Sequence, residues 1–157
     1  MFLKAFSTIL RALPYGKAYA HCDIPCGIYD PILAKIAAQT VLKMAVRIEA
    51  VEMPAKDIST PNTVARYVAV KEEHAQLVKN ELNILWSDYF KPEHLEKYPD
   101  LHDLFWNANK LAGSNKQNVS SDSAKSLVET VDKIAKIFWA TKGVDYTDPV
   151  EKIRFGA

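Results

Sequence analysis

Apolar residues recur at every third or fourth position in four separate stretches of this chain, the spacing of one face of an α-helix. Prolines and turn-forming residues separate the stretches, and no segment shows the alternation that is typical of a β-strand. Amphipathic helices must bury their apolar faces against one another, and short connections favour antiparallel neighbours. The sequence therefore predicts an all-α fold, an antiparallel four-helix bundle.

The residues between the stretches predict approximate helix limits. Asp30 can cap the first helix, with Pro31 at its first position, and Pro54 lies beyond its end. The remaining expectations are a second helix from Thr60-Pro61 to about Tyr89, a third from Pro99, a polar loop from Gly113 to Ser121, and a fourth helix that Gly143 can end. Residues 143–157 are expected to form an exposed C-terminal tail.

Length and composition narrow the functional classes. A chain of 157 residues can form one domain with a real core. The 48% of hydrophobic and 25% of charged residues are those of an ordinary globular protein. A net charge of +1 gives no reason to expect nucleic acid or a membrane surface as a partner. No apolar run approaches the roughly 20 residues of a membrane-spanning helix.

The two cysteines fall in one short stretch that is rich in metal ligands, His21-Cys22-Asp23-Ile24-Pro25-Cys26. If the chain is cut after Ala20, His21 becomes the N-terminus and offers both an amine and an imidazole. The amine and the Cys22 amide nitrogen can close one five-membered chelate ring, and that amide and the Cys22 sulfur a second. The Cys26 sulfur can complete a plane of two nitrogens and two sulfurs, with the His21 imidazole axial. Such surroundings suit Ni(II) or Cu(II) better than zinc.

Simpler interpretations of the cysteines remain open at this point. Cys22 and Cys26 could form a disulfide, or they could be unrelated thiols. The C-x-x-x-C spacing is neither a zinc-finger nor a thioredoxin pattern.

Four separated motifs resemble one known family. Residues 21–31 resemble the nickel hook of nickel-dependent superoxide dismutases, and residues 85–92, Leu-Trp-Ser-Asp-Tyr-Phe-Lys-Pro, resemble the central motif of that family. Tyr-Pro-x-Leu-His at 98–102 and the segment 132–139 match further along. The resemblance runs from His21 to about Lys142, and residues 21–31 are called the hook below.

The resemblance implies an activity, a cofactor and an assembly. The chain would disproportionate superoxide to dioxygen and hydrogen peroxide by Ni(II)/Ni(III) cycling at the hook. His21, Cys22 and Cys26 would bind one nickel ion per subunit, and four-helix bundles would assemble as a homohexamer. The alternative is a nickel or copper carrier that uses the same hook without turnover.

Roles for other residues are also implied by the resemblance. Tyr29 would line the approach to the metal without ligating it, and Asp23 would help to fix the hook. Lys91 could attract the anionic substrate. Trp86, Tyr89 and Phe90 are expected in the core or at a subunit interface.

The sequence departs from some family members around the imidazole. Ala37 stands where they have a glutamate that hydrogen-bonds the ligating histidine, and His74 stands where they have an arginine that completes the relay. A metal-bound imidazole normally needs a partner on its other nitrogen. His74 shares a helical stripe with Tyr67 and Val70, so it is the candidate partner, and a satisfied core histidine is the alternative.

Residues 1–20 are interpreted as a leader. They contain three basic residues and no acidic one, and Ala18-Tyr19-Ala20 resembles a small-residue cleavage site. The resemblance implies a propeptide that a maturation protease removes by cutting after Ala20, from a protein that stays in the cytoplasm. A secretory signal is the alternative, but Lys4 and Arg11 interrupt its apolar stretch.

Overall fold

The computed structural model describes residues 27–55 and 57–156. Within these ranges the chain is helical and contains no β-strand. The helices are α1 (Ile32–Glu49), α2 (Ser59–Ile84), α3 (Pro92–Lys97), α4 (Leu101–Gln117), α5 (Ser121–Thr141) and α6 (Glu151–Phe155), and Leu85–Tyr89 form a π-helical turn directly after α2.

Side-chain oxygens mark the starts of the helices. Asp30 Oδ1 accepts the Ile32 N–H at 2.8 Å, so the expected Asp30-Pro31 start of the first helix is observed. Asp57 Oδ1 accepts the Ser59 N–H at 2.9 Å and opens α2. Ser120 Oγ accepts the Ser123 N–H at 3.1 Å and opens α5. Each of these bonds satisfies a backbone donor that has no partner within its own helix.

The four long helices form the predicted antiparallel bundle. α1 packs on α2 and α5, and α4 packs on the same two helices, so each long helix has two antiparallel neighbours. Every long helix contributes fully buried side chains to one continuous core, among them Val41, Val78, Leu82, Leu101, Leu127, Ile134 and Phe138. Burial of such side chains contributes about 1.5–3 kcal/mol each, and this apolar seam holds the bundle together.

The expected polar loop from Gly113 to Ser121 was wrong. α4 continues to Gln117, and only Asn118–Ser120 connect it to α5. The buried Lys71 of α2 explains the difference, because its Nζ donates to the carbonyl of Asn115 and to those of Lys116 and Asn118, at 3.1 and 3.0 Å. A lysine from another helix thus satisfies carbonyls at the end of α4 that would otherwise lack donors.

The second helix changes pitch near its end. The expected α-helix stops at Ile84, and a π-helical turn carries the chain to Tyr89, with the Phe90 N–H donating to the Leu85 carbonyl at 3.0 Å. The chain is extended at Phe90, as expected shortly before Pro92. The short helix α3, which follows, was not expected from the sequence.

Residues 143–156 fold back on the bundle through a few charged side chains, and most of them are exposed. Gly143 ends α5 with a left-handed φ of 74°. Lys35 Nζ on α1 lies 2.5 Å from the Asp132 carboxylate and 3.5 Å from that of Asp148. Arg154 donates two hydrogen bonds to Asp148, at 2.9 and 3.1 Å. These charges hold the segment against α1 and α5.

No helix of residues 27–55 and 57–156 is long and apolar enough to cross a lipid bilayer.

Candidate metal centre

The principal predicted ligands, His21, Cys22 and Cys26, lie outside the described residues, as does Asp23. Within residues 27–55 and 57–156, no group of three or more His, Cys, Asp or Glu side chains could hold a metal ion. The prediction of a metal site therefore rests on the donors of residues 21–26. Thiolate, amide, amine and imidazole donors fit nickel.

The described end of the hook is anchored at the start of α1. Gly27 has a φ of 71°, a left-handed conformation that side chains other than glycine rarely adopt, so the chain turns directly after Cys26. Asp30 then caps α1 through its bond to Ile32. Three residues thus connect the ligand-bearing part of the hook to a rigid element.

Tyr29 packs against an aromatic cluster at this end of the bundle. Its ring meets that of Tyr89 edge to face, with centroids 5.4 Å apart. The Tyr89 ring also contacts Phe138 at 4.5 Å and stacks on His94 at 5.7 Å. Tyr29 therefore lies where the hook, the π-helical turn and the end of α5 meet.

The hydroxyl of Tyr89 is fixed by α5. It lies 2.5 Å from Thr141 Oγ1, and the Thr141 hydroxyl donates to the Phe138 carbonyl at 2.6 Å. Because the threonine proton is used in that bond, Tyr89 is the donor to Thr141. The sequence suggested only a core or interface role for Tyr89, although its position in the 85–92 motif could have indicated a place beside the hook.

His74 makes a hydrogen bond within its own helix. It is half-buried, and its Nδ1–H donates to the Val70 carbonyl at 2.9 Å, which leaves Nε2 for another partner. Ala37 is fully buried in the core and offers no polar atom. The proposed role of His74 beside the imidazole remains a prediction.

Lys91 is exposed and follows Tyr89 by two residues. Its backbone N–H donates to His94 Nδ1 at 3.1 Å, which fixes the start of α3. A solvated ammonium group near the aromatic cluster is compatible with attraction of an anion, and that role also remains a prediction.

Glu81 is a residue of this region that the sequence did not single out. It is half-buried and lines a groove of about 320 Å³ with Tyr29, Asp30 and apolar side chains of α1 and α2. Burial raises the pKa of its carboxyl group above the ordinary value. No sequence motif indicates this residue, because its environment exists only when α1 and α2 are paired.

Comparisons with known proteins identify similar sequences and folds. The family profile described as nickel-containing superoxide dismutase matches residues 16–142. A protein of Streptomyces coelicolor (strain ATCC BAA-471 / A3(2) / M145) named superoxide dismutase [Ni] is 39% identical over 129 residues, which are 82% of this chain and 93% of that protein. A protein of the same name from Streptomyces seoulensis is 40% identical over 129 residues, with the same coverage of 82% and 93%.

Solved structures give the same result. The native structure of a nickel superoxide dismutase at 1.30 Å superposes with a TM-score of 0.67 at 36% identity, over 77% of this chain and 98% of that one. A structure of a nickel-containing superoxide dismutase whose nickel ligation corresponds to the oxidised state superposes with a TM-score of 0.68 at 37% identity, over 78% and 99%.

Proposed function

The chain belongs to the nickel-containing superoxide dismutase family, and on that premise we propose that His21, Cys22 and Cys26 hold the nickel ion at which it disproportionates superoxide. The observation that carries this proposal is the family match over residues 16–142, which includes the whole hook. The activity is that of an oxidoreductase: two superoxide anions and two protons give one dioxygen and one hydrogen peroxide.

The donors of the hook suit this reaction. When bound, nickel supplies a one-electron redox couple, so that one superoxide is oxidised and a second is reduced. Cys22 and Cys26 would bind as thiolates although a free thiol titrates near pH ~8.5, since a bound metal stabilises the thiolate form. Anionic sulfur and amide donors favour the higher oxidation state of the metal. His21 would contribute its terminal amine and its imidazole as donors.

Residues around the hook would control access and position. The contact with Tyr89 holds the ring of Tyr29 in one place, three residues after Cys26, and supports a role for Tyr29 in guiding substrate or water. Asp23 would help to fix the fold of the hook. Lys91, exposed near the same cluster, would raise the local concentration of the superoxide anion.

A direct test is to prepare protein that begins at His21, load it with nickel, and measure both the metal stoichiometry and superoxide turnover. We expect one nickel per subunit and catalytic turnover. The carrier alternative predicts bound metal, ready loss to a competing chelator and no turnover. A Cys22–Cys26 disulfide protein would have neither free thiols nor stoichiometric nickel. Family membership favours turnover over both.

Processing, assembly and location belong to the same proposal. We propose that a maturation protease cuts after Ala20, that the bundles assemble as a homohexamer, and that the protein remains in the cytoplasm. The basic residues that interrupt the apolar part of the leader support the cytoplasmic location over export. N-terminal sequencing and cell fractionation in the native host, with sedimentation of the purified protein, test the three statements separately.

A further inference from the structure

An apolar groove lies beside the last described residues of the hook. Its walls come from the start of α1 and the end of α2, and its apolar side chains are strongly exposed: Ile28 by 80%, Leu33 by 50% and Ile84 by 42%. Leu85 closes the groove against the core. Isolated exposed apolar residues are normal on a protein surface, but several that share one concave site indicate that something covers them.

Glu81 places a carboxylate in this groove. It makes no hydrogen bond or ion pair with the other residues that the structure describes, while Asp30, the second acid of the groove, is used in capping α1. Loss of solvent raises the pKa of Glu81. A partly desolvated carboxylate without a donor is unfavourable, so the geometry indicates an N–H donor that approaches along the groove.

The nearest chain outside the described residues is the part of the hook that bears the metal ligands. The description starts at Gly27, and Ile28 to Leu33 already form one wall of the groove. Six residues lead from His21 to Cys26, and an extended segment of that length can span about 20 Å. This segment carries two kinds of group that complement the groove. Ile24 and Pro25 match its apolar walls, and His21 offers N–H donors for the carboxylate of Glu81.

We propose that the groove seats residues 21–26 and that Glu81 is a positioning residue for His21. The carboxylate of Glu81 accepts a hydrogen bond from the imidazole nitrogen that does not face the metal, and so holds the ring in one orientation and raises its basicity. This inference rests on the proposed function, since it takes His21 as a ligand. Glu81 would supply, from α2, the carboxylate that Ala37 on α1 cannot provide.

His74 is the rival partner, and the structure separates the two candidates. Both lie on α2, and seven residues of α-helix place them about 10 Å apart along the axis. Nδ1 of His74 already donates to Val70, and His74 does not line the groove. A single imidazole nitrogen can therefore be oriented by one of these residues but not by both.

The first experiment follows the groove by NMR as nickel is added to protein that begins at His21. The methyl signals of Ile28 and Ile84 should shift or broaden in proportion to nickel, up to one equivalent. Ile58, 85% exposed at the opposite end of α2, serves as the control and should not respond. If the Ile84 signals do not respond to nickel but change with protein concentration, a second copy covers the groove. That result would overturn the proposal.

The second experiment measures nickel affinity by chelator competition in four variants. Glu81→Ala should weaken binding about 10- to 100-fold, and Glu81→Gln, which keeps an acceptor oxygen, should recover part of the loss. Glu73→Ala, an exposed acid on the same helix, should bind as the wild type does, and His74→Ala, which tests the rival partner, should lose less affinity than Glu81→Ala. Unchanged affinity in Glu81→Ala, or a loss confined to His74→Ala, would refute the role of Glu81.

The proposed function and the seating of the hook in the groove can be refuted separately. A wild-type protein starting at His21 that binds no nickel, or binds it without turnover, refutes the proposed function. A wild type that binds and dismutes while the Glu81 variants and the Ile84 signals stay unchanged refutes only the seating of the hook. Melting temperatures of the metal-free Glu81 variants should match the wild type, because Glu81 makes no hydrogen bond or ion pair with the other residues that the structure describes.

Discussion

Tyr29 owes its position to a chain of contacts that begins in another helix. Thr141 on α5 donates to a backbone carbonyl and accepts from Tyr89, whose ring then meets Tyr29 edge to face. Edge-to-face pairs contribute about 0.5–1.5 kcal/mol beyond the area that they bury. The side chain of Tyr29, three residues after Cys26 in the sequence, is thus held by the bundle, although it lies before the first helix.

The ligand assignment predicts a sharp result for two substitutions. Cys22→Ser and Cys26→Ser should each abolish superoxide turnover, because each removes an in-plane thiolate that a hard hydroxyl cannot replace. The melting temperature of the metal-free protein should stay within a few degrees of wild type, since the described core is formed mainly by side chains of the four long helices. The measurements are superoxide turnover after nickel loading and thermal unfolding by circular dichroism. Near-normal turnover in either variant would rule out the proposed ligand set.

At the scale of the elements, Lys71 fixes the end of α4. Its side chain is 1% exposed, and its Nζ donates hydrogen bonds to three backbone carbonyls. Burial lowers the pKa of its ammonium group, and the charge of Glu72 opposes part of that shift. Asn115, also 1% exposed, adds a bond from Nδ2 to Ser123 Oγ at 3.0 Å, which joins the ends of α4 and α5.

Lys71→Met should therefore destabilise the bundle strongly although it keeps the size and the apolar stem of the side chain. The buried carbonyl of Asn115 and the partly buried carbonyls of Lys116 and Asn118 lose their donor, and we expect a loss of about 2–4 kcal/mol in the free energy of unfolding. Lys125→Met, at an exposed position of α5, is the matched control and should change stability by less than about 0.5 kcal/mol. Urea unfolding measures both, and equal midpoints would contradict the capping role.

The C-terminal segment depends on Asp148, whose carboxylate is shared by Arg154 and Lys35. Asp148→Asn keeps the shape but removes the charge, so residues 144–156 should open more often. A loss of about 1–2 kcal/mol corresponds to about 5- to 30-fold faster hydrogen exchange in this segment. Asp145→Asn, an exposed acid in the same segment, should exchange at the wild-type rate. An unchanged rate in Asp148→Asn would show that its ion pairs do not hold the segment.

The same contact predicts a dependence on pH. The hydrogen bond from Arg154, aided by the charges of Arg154 and Lys35, holds the pKa of Asp148 below its ordinary value of 3.8. A carboxyl whose folded pKa is depressed contributes its full stability above the unfolded value and loses it as the pH falls through the folded value. Wild-type protection of residues 144–156, corrected for the intrinsic pH dependence of exchange, should therefore fall below about pH 4 and approach that of Asp148→Asn.

The elements that follow from local patterns were predictable, and those that depend on distant partners were not. The start of α1 at Asp30-Pro31, the stop at Gly143 and the antiparallel bundle all follow from periodicity and capping residues. The segment 113–121 was mistaken for a loop because its cap is Lys71, more than forty positions away. In the same way, hook spacing predicts the metal ligands, whereas Glu81 acquires its significance only from the pairing of α1 with α2.

For the whole molecule, the leader should act as an off switch. Before cleavage, the His21 nitrogen is a peptide amide without an amine lone pair, so the first chelate ring lacks its donor. The full chain should therefore bind nickel poorly and dismute little superoxide, and a cut after Ala20 should restore both. Nickel affinity and superoxide turnover are measured on the full chain and on protein that begins at His21.

The decisive control is a protein that begins at Ala20. It has a free amine, both thiols and the same bundle, so it differs from the active form by one residue only. If the terminal amine is a ligand, this residue moves it out of register, and the five-membered ring with the Cys22 amide cannot form. Protein starting at Ala20 should then resemble the uncut chain. Equal turnover from the Ala20 and His21 forms would show that the terminal amine is not a ligand of nickel.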